Sequence, residues 1–211
     1  ERPSVIENRI KIWYDSQDIK ERGSVLGAMF KYVGLSDEDA DFRLPVPEEW
    51  SVKARQLIES WHTSKPILFY RPLVVRREWK NCDARNPDRD CYYHLLRHIS
   101  DKYFIVSVAD VDRVNERIVS NKIKADVEFH HGELGFPMLA ALMKESALVY
   151  ASPGFAVPLA RSIGTPVICV FGGYENSSSF SVGYSPYLGI DTVRPCSCYT
   201  RKHNCVKKIN M

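Results

Sequence analysis

From Lys65 onward, short apolar runs alternate with longer stretches whose apolar residues recur at helical spacing. The runs at 66–70, 103–108, 127–129, 147–151 and 167–171 predict strands, and the stretches at 90–99, 111–121, 135–144 and 155–163 predict helices. The strand runs are apolar throughout rather than alternating, the pattern of strands covered on both faces. Strand and helix in alternation predict βαβ units. The expected fold class is therefore α/β, a Rossmann-like, doubly wound parallel sheet of five strands. Ahead of it, residues 1–45 read as a polar, partly helical lead-in, with Ile6, Ile10 and Trp13 at helical spacing. Leu44-Pro45-Val46-Pro47 is a stiff linker. A helix over 48–62 follows, with Trp50, Ala54, Leu57, Ile58 and Trp61 on one face. The periodic pattern stops after Gly173. The expected organisation is a lead-in (1–45), a Rossmann-like domain (46–175) and a Cys-rich C-terminal tail that packs back on it (176–211).

Composition narrows the class. A chain of 211 residues with 45% hydrophobic and 26% charged side chains is globular, which excludes a disordered or fibrous protein. A net charge of +3 gives no strong nucleic-acid signal. No apolar run reaches the ~20 residues that cross a bilayer, and no secretory leader is visible. No membrane span is therefore expected, and a cytoplasmic location is. The chain opens on Glu1 rather than Met, so a trimmed or partial protein is expected. Its cysteines fit a reducing compartment. Cys169 lies inside an apolar run and reads as a small core hydrophobe. Cys82 and Cys91 bracket a polar loop, while Cys196, Cys198 and Cys205 cluster in the tail. That spacing lacks the paired C-x2-C knuckles of a zinc site, so no metal is expected; a disulfide stays open if the protein meets oxidant.

In a doubly wound sheet the ligand crevice lies beyond the carboxyl ends of the strands, so the chemistry belongs to the loops after each run. The first loop reads Arg71-Pro72-Leu73-Val74-Val75-Arg76-Arg77-Glu78-Trp79-Lys80. Arg71 and Arg77 are its candidates for bidentate contact with a diphosphate, ahead of Arg76 and Lys80. After 103–108, Asp110 is a candidate for a ribose hydroxyl; as the cap of the helix expected over 111–121 it has the stronger reading. After 127–129, His131 and Glu133 are candidates for contact with a base or ribose. The adjacent histidines His130 and His131 point to opposite sides and have no third ligand at helical spacing, which disfavours a metal. After 147–151, Ser152-Pro153-Gly154-Phe155 turns straight into a helix, leaving backbone N–H groups at a positive helix end, a ready anion site. After 167–171, Gly172 and Gly173 allow a phosphate or sugar to approach the backbone closely. No Walker A loop, dinucleotide fingerprint or nucleophile elbow occurs. No catalytic residue is assigned.

The run from Gly132 to Gly173, centred on MLAALMKESALVYASPGFAVPLARSIGTPVICVFGG, resembles the C-terminal nucleotide-sugar-binding domain of the heptosyltransferase-like glycosyltransferases (family nine, GT-B fold). The matching positions are Ala147-Leu148-Val149, Gly154, Leu159-Ala160, Ile163-Gly164-Thr165-Pro166 and Phe171-Gly172. Arg77, ahead of Trp79, stands where the family carries a basic phosphate ligand, and the cysteine-rich tail is similar to the ends of many members. The family's Asp and hydroxylated residue at the turn are Ser152 and Pro153 here, and its histidine is Val157. The resemblance implies the donor-binding half of a glycosyltransferase. A nucleoside-diphosphate sugar would be its donor substrate, with no further cofactor. Arg71, Arg77 and the 152–155 helix end would neutralise the diphosphate, and the acceptor would belong to an N-terminal domain absent from this chain. The departures at 152, 153 and 157 keep open a non-catalytic sugar-nucleotide-binding module. A sugar-nucleotide epimerase or hydrolase of the same architecture is a third reading, with Glu133, His130 and His131 as its only candidate acids and bases.

Overall fold

The computed structural model describes residues 14–23, 25–36, 41–77, 86–111, 114–119, 123–173, 175–180 and 183–193. Ile6, Ile10, Trp13, Trp79, Lys80, Cys82, Asp112 and the tail cysteines lie outside the described residues. The chain divides into two units, Glu1–Asp41 and Phe42–Met211.

In the first unit, α1 (Ser16–Arg22) starts on a reciprocal cap. The Asp15 carboxylate accepts from the N–H groups of Gln17 and Asp18, and Asp18 accepts in return from the Asp15 N–H. The second helix, α2 (Val25–Val33), carries Lys31, whose ammonium meets Asp18 at 2.7 Å and ties the two helices together.

The second unit contains α3 (Glu48–Glu59), β1 (Ile67–Tyr70), β2 (Val74–Arg76), α4 (Arg89–Ser100), β3 (Phe104–Val108), β4 (Glu116–Ile118), β5 (Val127–Phe129), α5 (Phe136–Lys144), β6 (Leu148–Ala151), α6 (Ala156–Ile163), β7 (Val167–Val170) and β8 (Tyr187–Ile190). Six parallel strands lie in the order β5-β3-β1-β6-β7-β8. Numbered along the chain, this is the doubly wound order 3-2-1-4-5-6, whose direction reverses between β1 and β6. The α/β, Rossmann-like expectation holds.

The period of two along each strand explains the continuously apolar runs. Ile67, Phe69, Val106, Val149, Ala151, Val167 and Cys169 face α5 and α6 in one core. Leu68, Tyr70, Ile105, Tyr150 and Val170 face α4 in the other. Cys169 is a buried free thiol, as its place in the run predicts. α6 stops at Gly164, whose φ of +92° is left-handed; a Cβ there would stand 3.1 Å from the Tyr184 hydroxyl.

Two expectations are corrected. The described residues of 111–121 hold no helix; they hold β4, which pairs antiparallel with β2 in a separate two-stranded sheet. An extended path lets Arg76 and Glu116 pair across that sheet at 2.8 Å, and it buries Val75 and Val119 against α4. Nor does the pattern end at Gly173 with five strands. A sixth strand, β8, adds to β7, with the half-exposed Leu188 on it, and Gly189 is packed against Ser177.

Candidate functional site

Reversal of strand order between β1 and β6 parts the chain on the two sides of that pair, and a cavity of about 550 Å³ opens at their carboxyl ends. The segments after β1, β3, β5 and β6 supply its walls, together with Arg76 of β2 and Glu116 of β4.

Arg71 is the most firmly held of the cationic groups. Its backbone N–H donates to Tyr150 O at 2.9 Å, its Nη1 donates to Val108 O at 3.0 Å, and its own carbonyl accepts from the Tyr92 hydroxyl at 2.7 Å. Burial lowers the guanidinium pKa, while Glu116 opposes that shift; an arginine remains charged nonetheless. Arg76 adds a second cation. Glu116 pairs with it, and its Oε2 is buried without a hydrogen-bond partner among the described residues.

Asp110 also lines the cavity, and the described residues that follow it, up to Val119, form a turn and β4 rather than a helix for it to cap. It forms an antiparallel bridge with His131 instead. Gly132 follows with a φ of +76°, and a Cβ on it would stand 3.3 Å from Asp110 Oδ1, so this turn is tight and suits glycine. Glu133 accepts the His131 N–H at 2.7 Å, and backbone N–H groups of this loop hold its carboxyl below the usual carboxylate range. His130 turns elsewhere: its Nε2 is hydrogen-bonded to Ser107 Oγ at 2.8 Å, and burial lowers its pKa.

Across the cavity, Ser152, Pro153, Gly154 and Phe155 lead into α6. No side chain caps that helix; the Val157 N–H donates to Gly154 O at 3.2 Å and Pro158 has no N–H, so the Ala156 N–H, beside the cavity, is what the positive helix end offers a ligand.

The structure thus gathers Arg71, Asp110, Glu133, Ser152, Pro153, Gly154 and Phe155 around one space. It does not bring Arg77, His131, Gly172 or Gly173 into the wall. Arg77 is exposed beyond β2, its N–H bonded to Asn115 O, and the two glycines are buried. Glu116 is a cavity group that sequence reasoning missed, and Arg76, ranked behind Arg77, lines the wall in its place. The signal for Arg76 was Val74-Val75, a β-branched pair that extends the chain and sends successive side chains to opposite faces. Among the described residues, no group of three or more His, Cys, Asp or Glu side chains is placed to hold a metal ion. None of the described helices is long and apolar enough to cross a membrane.

No protein-family profile and no curated protein matches the sequence. Solved structures do match the fold. A family 9 glycosyl transferase from Veillonella parvula DSM 2008 superposes with a TM-score of 0.56 at 14% identity, over 79% of this chain and 49% of that one. The dodecameric iron-containing heptosyltransferase TibC, in complex with ADP-D-β-D-heptose, superposes with a TM-score of 0.56 at 15% identity, over 91% of this chain and 47% of that one. The chain therefore spans about half the length of these structures, and what it shares with them is the fold.

Proposed function

We propose that this chain is the donor-binding half of a GT-B glycosyltransferase and holds a nucleoside-diphosphate sugar in the cavity between β1 and β6. One observation carries the reading. At the point of strand reversal, a half-buried and doubly anchored arginine faces the same cavity as a helix start with no side-chain cap. A guanidinium fork and the positive start of a helix are two standard devices for phosphate oxygens. The likeness in fold to glycosyltransferases, one of them in complex with a nucleotide sugar, supports it.

The chemistry follows from where charge develops. Transfer of the sugar releases a nucleoside diphosphate, so the bond to the sugar breaks as negative charge builds on the diphosphate. Arg71, Arg76 and the positive start of α6 stabilise that charge where it grows, which lowers the barrier. The acceptor hydroxyl and the base that takes its proton belong to a further domain.

Arg71→Ala is expected to weaken nucleoside-diphosphate binding by about 1.5–3 kcal/mol, the range for a hydrogen bond to a charged group. Arg77→Ala is expected to change it little. Calorimetry on both variants, with their thermal unfolding checked, tests this; equal affinities for wild type and Arg71→Ala would overturn it. One observation favours the non-catalytic alternative. Val157, where the resembled family carries histidine, is fully buried in the core. Binding without release of nucleoside diphosphate from a panel of sugar nucleotides, in the presence of sugar acceptors, would decide for that alternative.

A further inference from the structure

Aromatic side chains from three helix starts stand in a row at the carboxyl edge of the sheet. Trp50, in the first turn of α3, meets Phe136 edge-on with 6.5 Å between ring centroids. Phe136, the first residue of α5, lies 6.4 Å from Phe155, the residue ahead of α6. Phe136 and Phe155 leave 46% and 60% of their surface in solvent. Phe155 also lines the cavity, so the row begins at the site and runs outward from it. Exposed apolar surface bordering a polar cleft marks a place where a ligand sits. Glu133, three residues before Phe136, lines the same cavity, its carboxylate fixed by the His131 N–H.

We infer that Phe155 and Phe136 form a platform for a pyranose ring, with Glu133 accepting hydrogen bonds from its hydroxyls. This rests on the reading of the cavity as a nucleotide-sugar site. A pyranose presents C–H bonds on its face, which suit the negative face of an aromatic ring, and hydroxyl donors at its rim, which need acceptors. The geometry separates this ligand from a nucleobase. The planes of Phe136 and Phe155 are inclined by 55°, so the two rings together do not offer the single flat face on which an extended base would stack. Phe155 immediately precedes Ala156, whose N–H opens α6, so a ring stacked on it lies beside the phosphate that helix start would hold. The sugar in question is that of the donor or that of the acceptor.

Titration of wild type, Phe155→Ala, Phe155→Tyr and Phe136→Ala with ADP, UDP, ADP-glucose, UDP-glucose and methyl glucoside tests the platform. The sugar nucleotide is expected to bind wild type roughly three- to tenfold tighter than the bare diphosphate, the value of one aromatic contact. That advantage falls to near unity in Phe155→Ala and survives in Phe155→Tyr. An advantage unchanged in Phe155→Ala, with methyl glucoside receiving no saturation in the presence of ADP-glucose, overturns the platform. An equal loss for diphosphate and sugar nucleotide also overturns it, because base or ribose would then lie on the ring. Saturation transfer to methyl glucoside in the presence of ADP-glucose assigns the platform to the acceptor sugar, and its suppression by ADP-glucose assigns it to the donor sugar. If neither diphosphate binds wild type, the nucleotide-sugar reading fails by itself. The platform then stands only if methyl glucoside receives saturation at its ring C–H protons in wild type and not in Phe155→Ala, and it falls if wild type gives no signal.

Discussion

The two faces of the sheet are filled in opposite ways. Against α5 and α6 the helices bring aliphatic side chains: Leu142, Met143, Val157, Leu159, Ala160 and Ile163 meet the strand residues, Phe69 among them, and Phe171 without a side-chain hydrogen bond. Against α4 it is built from Tyr70, Tyr92, Tyr93 and Tyr150, all nearly inaccessible to solvent. Three of their hydroxyls donate to main-chain carbonyls: Tyr92 to Arg71 O, Tyr93 to Val119 O and Tyr150 to Tyr92 O. The difference follows from the crossovers. On the aliphatic face the connections are helices, which satisfy their own backbone. On the tyrosine face, the chain from β3 to β5 carries β4 in place of a helix, and the carbonyls of irregular chain at Arg71 and Val119 need donors. Tyrosine supplies both apolar bulk and a donor.

Three experiments would break or sharpen this contrast. The largest effect is expected on the aliphatic face, where Leu142→Ala costs about 2–5 kcal/mol, because a close-packed site collapses only partly around the lost methyl groups. A lowered urea midpoint at unchanged m would show it; a cost comparable with that of a tyrosine hydroxyl would remove the distinction between the faces. Next come Tyr92→Phe and Tyr93→Phe, each of which deletes one buried hydroxyl bonded to a carbonyl. Each is expected to cost about 1–2 kcal/mol. Only Tyr92→Phe should also weaken pyrophosphate binding, since its hydroxyl steadies the Arg71 main chain. Matching affinities in the two variants would show that the tyrosines serve stability alone.

The smallest effect, invisible near neutrality, is alkaline. Burial raises the pKa of Tyr70, Tyr92 and Tyr150 well above the ordinary value of about 10. The folded protein then keeps protons that the unfolded chain gives up, so stability is lost as pH rises beyond about 10. Tyrosinate absorbance should therefore rise for these groups together with loss of near-UV circular dichroism. A rise that precedes unfolding would mean that the tyrosine face is wet.

Much of this architecture was legible in the chain. Continuously apolar runs located β1, β6 and β7, because burial on both faces leaves a signal that neither turns nor charges interrupt; β3 carries one Ser107 in its run, and the edge strand β5, Val127-Glu128-Phe129, alternates around an exposed Glu128. The misread segment is instructive. Val111, Val114 and Ile118 recur at helical spacing, yet Glu116–Ile118 is a strand, since so short a run fits either period and only its partner β2, some forty residues earlier, decides. β8 was hidden for another reason: an edge strand with Gly189 inside it and Leu188 in solvent carries a weak pattern. At the site, local turn chemistry marked Ser152–Phe155 correctly as a helix start facing the crevice. It could not tell Arg76 from Arg77, because that choice depends on the strand register of β2.

Strand order also fixes a sequence of events in time. β1 is at the centre of the sheet, and one flank of it pairs with β6, where Leu68 meets Leu148 roughly eighty residues further along the chain. During synthesis Phe69 and Tyr70 leave the ribosome long before the neighbour that completes their cover. Contacts so distant along the chain make folding slow and leave apolar strand surface open meanwhile. The middle of this molecule, its most buried part once folded, is therefore its most vulnerable part while it is being made.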